Sequence, residues 1–404
     1  MTRKYIPPHS PFYIVMLGLL SALPPLAIDM GLPAIPALEA AFHIDIGAAT
    51  RTLTVFLLGF SVGPILFGPL SDRYGRKPVL LLGLGLFSLV SLACACTGQI
   101  ADLLLLRLLQ GVAAGAAAAL PAAIVRDVFT GHAALSRQSY VALVNAVAPL
   151  VAPLLGAGLL AFGSWRLIYG CLGVIGLVLL VLGALGYQET RPPQANAQNP
   201  FSAALSAYSQ VLRNKHYLVH AGLLAASFGT MFAYITGSSA VFIDMLGVSS
   251  AAYGALFALT AAGTISGAAA GARLAHRWNP GRLLAGAVIA SALICGALLV
   301  AALCGVHSVA VVAAFVLLSN VCAGIVMPHA THQALATVGQ VAGSASALLR
   351  SIQMLAGASA GALIGLLSGN PLSVMATVMT LYAVLGVVFL VVSSRLFYSK
   401  KEPQ

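Results

Sequence analysis

Charge is what this chain lacks most: Asp, Glu, Lys and Arg together make up 7% of its 404 residues. So few solvated side chains exclude an ordinary water-soluble globule, and 60% hydrophobic residues with a mean hydropathy of +0.99 place the chain in a bilayer. The strict alternation of barrel strands is also missing; in its place stand uninterrupted apolar runs of about twenty residues, each long enough to cross the hydrocarbon as a helix. No phosphate-binding Gly-Lys-Ser/Thr loop occurs, and little polar mass remains to build a nucleotide domain. Cys94, Cys96, Cys171, Cys295, Cys304 and Cys322 lie in apolar runs without metal-ligand companions and read as small packing residues. An enzyme, an ATP-driven pump and a resident metal or cofactor are therefore not expected.

Apolar spans are expected near residues 12–35, 50–70, 78–98, 101–123, 138–161, 165–186, 217–243, 251–272, 281–304, 307–329, 341–366 and 373–396. That is an all-α membrane protein with about twelve transmembrane helices. The first span is too long for a signal-peptide core, contains Asp29 and leads into further spans, so it reads as retained. The polar stretch Tyr187 to Lys215 bisects the chain, giving an N-terminal six-helix bundle over 1–190, a cytoplasmic linker over 191–215 and a second bundle over 216–404. Within that linker Phe201 to Arg213 has apolar residues at helical spacing and can lie along the membrane surface.

Basic residues concentrate on one side of these spans. Arg3 and Lys4, then Arg73, Arg76, Lys77, Arg126, Arg137, Arg191, Arg213, Lys215, Arg273, Arg277 and Arg282, then Arg395, Lys400 and Lys401 fall at the termini and even-numbered turns; Arg51 and Arg166 fall opposite. Positive residues stay inside, so both termini are expected in the cytoplasm, and the net charge of +11 is a topology signal that calls for no nucleic acid.

Between the second and third spans the chain reads G-P-L-S-D-R-Y-G-R-K-P from Gly68 to Pro78. Hydrocarbon penalises charge, so Asp72, Arg73, Arg76 and Lys77 must occupy a tight water-facing turn, eased by Gly68 and Gly75, in which Asp72 can neutralise Arg73 or Arg76 or cap a neighbouring helix. After the eighth span Gly271-A-R-L-A-H-R echoes it, with Ala275 where Asp72 stands, and two related halves suit an alternating-access carrier.

The run Gly68 to Lys77 resembles the loop signature of the major facilitator superfamily. Arg107-L-L-Gln110-Gly111-V-A-A-Gly115 resembles that family's helix-four motif, and Asn145-A-V-A-Pro149-L-V-A-Pro153-L-L-Gly156-A-Gly158 the helix-five motif of drug:proton antiporters. With Asp29-M-G-L-Pro33-A-I-Pro36 and Gly343-S-A-S-A-L-L, these are similar to the bicyclomycin and chloramphenicol resistance (Bcr/CflA) branch over essentially the whole chain. The resemblance implies two pseudo-symmetric six-helix bundles and a conformational gate formed by Gly68, Asp72, Arg73, Gly75, Arg76, Lys77, Pro149, Pro153 and Gly156. It also associates Arg107 with proton coupling.

Asp29 is the one carboxylate expected inside a span. Either it exchanges protons as the coupling acid, or Pro33 and Pro36 end its helix early and leave it in water at the mouth. Counting at the helical rise puts Arg107 level with it, so the two can pair, or Arg107 can bond helix-one carbonyls instead. Arg350 lies in the eleventh span, and the C-terminal half of the chain offers no intramembrane acid; it faces a cavity, snorkels or bonds a helix-ten carbonyl. Substrate contacts are expected from Asp29, Tyr140, Asn145, Phe228, Met231, Tyr234, Asn320, Arg350 and Gln353, while His329 and His332, near the cytoplasmic end of the tenth span, either titrate or, as the preferred reading, are loop-solvated. The expected activity is proton-gradient-driven export of neutral or amphipathic, in part anionic, phenicol- or bicyclomycin-like drugs across the bacterial inner membrane by a monomer. Its expected partners are the drug substrate, protons and the lipid bilayer. A sugar or metabolite facilitator or importer and a non-transporting membrane receptor or assembly protein remain as alternatives.

Overall fold

The computed structural model describes residues 6–8, 10–191 and 200–398. Arg3, Lys4, Lys400, Lys401 and the 192–199 part of the expected linker lie outside them. Among the described residues there is helix and no strand, and twelve segments are long and apolar enough to cross a membrane. The protein is a multi-pass membrane protein.

The first span is not one helix. Helix α1 (Pro11–Asp29) stops at Asp29, a single 3-10 turn covers Leu32–Ala34, and α2 (Ile35–Phe42) continues the crossing. Pro33 and Pro36 fall in the opening positions of the last two pieces, where a missing N–H costs nothing, so the prolines divide the span without ending it. The following helices are α3 (Ile46–Tyr74), α4 (Arg76–Cys96), α5 (Ile100–Val128), α6 (Gly131–Phe162) and α7 (Arg166–Gly186). Helix α8 (Pro200–Leu212) covers the stretch of helically spaced apolar residues near Phe201 to Arg213. Then come α9 (Lys215–Ser239), extended by a π turn over Ala240–Met245, α10 (Ser250–Leu274), α11 (Pro280–Leu303), α12 (Val309–Ala336), α13 (Ala342–Leu366) and α14 (Pro371–Tyr398). Several begin where a polar side chain takes up an orphan N–H: Asn214 accepts from Tyr217 N, Ser249 from Ala252 N and Asn279 from Gly281 N.

Contacts divide the chain into two units, Met1–Ile44 with Val55–Ser206, and Asp45–Thr54 with Ala207–Gln404. In the first, α1 packs on α6 and α5, and α4 on α5 and α7. The second repeats the pattern, α9 on α13 and α12, and α11 on α12 and α14. Small residues bring backbones together at matching places. A Cβ on Gly111 would sit 2.0 Å from Phe56 O, and one on Gly324 2.1 Å from Thr264 O, so α3–α5 and α10–α12 approach as closely as glycine permits.

Candidate functional site

Arg107 of α5 is almost wholly buried, 1% exposed. Its Nη1 donates to Ala27 O of α1 (3.2 Å) and to Gln110 Oε1 (2.6 Å); Gln110 Nε2 in turn donates to Ser91 Oγ on α4 (2.7 Å). The guanidinium lies over Phe56 of α3 at 4.4 Å and over Tyr169 of α7 at 5.5 Å. Arg107, with Gln110 carrying the link to α4, thus ties α5 to α1, α3, α4 and α7 through hydrogen bonds and cation–π contacts.

Asp29 closes α1 two residues beyond Ala27 and is 4% exposed. The depth match between Asp29 and Arg107 holds, but the expected pairing does not: the structure joins Arg107 to the Ala27 carbonyl and not to the carboxylate. Arg76 and Arg191 pair with Asp72 and Asp127, and among the described residues Asp29 takes part in no ion pair and no hydrogen bond. The reason is the helix end. At the break after Asp29 the carbonyls of the last turn lose intrahelical partners, and Arg107 takes one of them. The alternative of Asp29 in water at a helix mouth is also corrected, because α2 continues the span and leaves the side chain buried. Gly156 of α6 packs against the same break, where a Cβ would fall 2.1 Å from Met30 O.

The charged turn forms a second constellation. Asp72 Oδ1 accepts from Arg76 Nη2 (2.9 Å) and from Arg191 Nη1 (2.8 Å), while Arg76 Nε reaches Asp127 Oδ2 at the end of α5 (2.8 Å) and its Nη1 reaches Ser71 Oγ (2.6 Å). Gly75 has φ +97°, a left-handed conformation, and a Cβ there would meet Glu189 at 2.6 Å. That closeness serves a purpose: Glu189 Oε1 and Oε2 accept from the Arg76 and Lys77 N–H groups (2.9 Å each), capping α4. Lys77 Nζ donates to Ala184 O and Tyr187 O at the α7 terminus, where a cation is favoured. Burial pushes the Tyr187 hydroxyl above the ordinary tyrosine range. Arg73 stacks on Tyr74 (5.2 Å), and Gly68 has open space where a Cβ would stand. Asp127, Glu189 and Arg191 were not among the expected gate residues. Their signal in the sequence was weak: isolated charges one to three residues beyond apolar runs.

The expected substrate contacts separate into groups. Tyr234 and Asn320 are spent on the fold: Tyr234 Oη lies 2.6 Å from Thr260 Oγ1 and Asn320 Nδ2 donates to Thr260 O (3.0 Å), a buried knot of α9, α10 and α12. Phe228 is buried against Phe232, ring centroids 4.5 Å apart. Tyr140, 54% exposed, shares a helix face with exposed Leu143, Val147 and Leu154, an apolar band suited to lipid. Asn145, Met231 and Gln353 are half-buried, and Arg350 is exposed. Pro149 and Pro153 both lie inside α6. His329 Nδ1 bonds Ile325 O within α12, which corrects the loop-solvated reading of this histidine.

The family model of the Major Facilitator Superfamily matches residues 17–362. Among curated proteins, the chain is 33% identical to the uncharacterized MFS-type transporter YdgK of Bacillus subtilis over 92% of each chain. It is 28% identical to a bicyclomycin resistance protein homolog of Haemophilus influenzae, over 87% of this chain and 88% of the relative. Among solved structures, a peptide transporter with bound sulfate superposes with a TM-score of 0.72 over 98% of each chain at 15% identity, a likeness of fold.

Proposed function

The chain belongs to the major facilitator superfamily, and from that premise we propose that it is a proton-coupled antiporter exporting drug-like small molecules across the bacterial inner membrane, as a monomer with both termini in the cytoplasm. Relatives named for resistance to bicyclomycin and chloramphenicol support the choice of drugs as cargo. The family and fold are those of a transporter, and the energy source is the proton gradient.

One observation carries the coupling: a buried carboxyl, Asp29, at the point where the first membrane helix is broken, bonded to no basic side chain. Broken helices inside a membrane are where carriers place ion and substrate sites, because the interrupted ends supply free backbone groups. A carboxyl there gains a proton when water reaches it from one side and yields it when water reaches it from the other. Arg107 acts through the backbone. By holding Ala27 O it fixes the α1 end that presents Asp29, so it is a positioning residue. In the same reading the Asp72–Arg76–Asp127 cluster, with Glu189 on the α4 end, is the conformational gate.

The test is drug export from proteoliposomes under an imposed proton gradient. Wild-type protein is expected to accumulate or extrude chloramphenicol according to the sign of the gradient, and Asp29→Asn to abolish that response. Unchanged gradient-driven transport by Asp29→Asn would sink the mechanism.

A further inference from the structure

We propose that Arg350 and Gln353 form an anion-accepting subsite on α13, so that the chain binds amphipathic aryl carboxylates more tightly than their uncharged esters; this rests on reading the chain as a small-molecule carrier. Arg350 lies about 12 Å along α13 from its first residue and about 24 Å from its last, well inside the span. A guanidinium at such depth needs water, a counter-ion or a ligand. Among the described residues it makes no hydrogen bond, ion pair or ring contact, yet it is exposed.

The helix face decides what that exposure means. At 100° per residue Gly343, Ser346, Arg350, Gln353, Gly357 and Gly361 fall on one side of α13. That side packs inward at its far end, where Gly361 has Thr54 Oγ1 2.6 Å and Thr236 Oγ1 3.4 Å from the position of a Cβ. The opposite side carries Leu348 and Ile352, which pack on the buried core of the second unit near Arg350, and farther along it exposed Leu355 and Leu366. Arg350 therefore lies on a face of glycine, serine and glutamine that is open at Arg350 and buried from Gly357 onward, away from exposed Leu355 and Leu366.

Among the described residues no carboxylate pairs with it. Between Ala207 and Tyr398 the chain holds a single acidic residue, Asp244. Helices α9 and α13 run in parallel register, with Tyr217 Oη donating to Ala345 O near one end and Thr236 beside Gly361 near the other. Asp244 lies beyond the Thr236 end, whereas Arg350 lies just past Ala345, so the two occupy opposite ends of the span. Gln353, one turn on, leaves its half-buried amide without a hydrogen bond. A guanidinium fork with an amide donor one turn away matches a carboxylate, and half-buried Ala347 beside Arg350 leaves apolar surface for an aryl group.

The experiment measures binding, not transport, so the loss of proton coupling would leave it readable. Purified protein in zwitterionic nanodiscs is titrated with 2-naphthoate and with its methyl ester, following the naphthalene fluorescence and subtracting empty nanodiscs. Wild-type protein is expected to prefer the carboxylate by tenfold or more. Arg350→Gln should remove that preference with the ester unaffected, and Arg350→Lys should keep part of it. Equal affinity of the wild-type protein for acid and ester overturns the proposal without recourse to any variant, as does an Arg350→Gln protein that keeps the preference.

Discussion

Arg107 is buried with its charge satisfied by two carbonyl-type oxygens and two aromatic faces, an arrangement that depends on a flat, forked cation. Arg107→Lys keeps the charge but offers a point donor that cannot reach Ala27 O and Gln110 Oε1 while lying over Phe56. Leaving one buried acceptor unmade costs about 1–3 kcal/mol, so the melting temperature in detergent is expected to fall by several degrees. An unchanged melting temperature would show that these bonds do not hold α5 to α1. The depth of Arg107 and Asp29 was legible, because a charge inside an apolar run stands out and the helical rise converts its position into depth. Their partners were not legible. Which oxygen a guanidinium meets depends on where the facing helix breaks, and the break at Asp29 is a backbone event that hydropathy does not register. Asp127 and Glu189 escaped for a related reason: an acid beside an apolar run looks the same whether it meets Arg76, caps the next helix or faces water.

At the scale of elements, the helix-five motif shows why its glycines are not alike. A Cβ on Gly156 would collide with Met30 O of the α1 break, whereas one on Gly158 meets nothing within 4 Å. Backbone cannot yield as a side chain can, so Gly156→Ala must push α6 off α1 at an overpacking cost of about 1–3 kcal/mol. Gly158→Ala replaces a poor helix former with the best one and is expected to be neutral or stabilising by up to about 1 kcal/mol. Thermal denaturation of the two variants side by side measures the difference, and equal stabilities would refute the close contact. The same comparison carries a functional consequence, since the displaced contact lies next to Asp29: gradient-driven export should fall in Gly156→Ala and persist in Gly158→Ala. Proline was the harder signal to read. Pro33 and Pro36 announced a break, but only their placement at the openings of a 3-10 turn and of α2 shows that the crossing resumes.

For the whole molecule, the twelve crossings and the recurrence of one packing pattern in both units were already written in the apolar runs and in the echo of Gly68 at Gly271, since length and hydrophobicity alone decide what can span a bilayer. Orientation rests on a different quantity, the sidedness of Lys and Arg. The turns that end α3, α10 and α14 carry Arg73, Arg273 and Arg395 in their last turn, and the α3–α4 turn adds Arg76 and Lys77, whereas the turns on the other side carry Arg51 and Arg166. Translocating each basic residue is opposed by the membrane potential, by about 2.3 kcal/mol per charge per 100 mV, so the richer side stays in the cytoplasm. Alkaline phosphatase fused within residues 246–249, between the π turn and α10, should then be exported and active, and the same enzyme fused within 275–279, after α10, should be inactive. A green fluorescent protein at the C-terminus should fluoresce. Active phosphatase at 275–279 would reverse the orientation, and with it the side from which Asp29 must receive its proton.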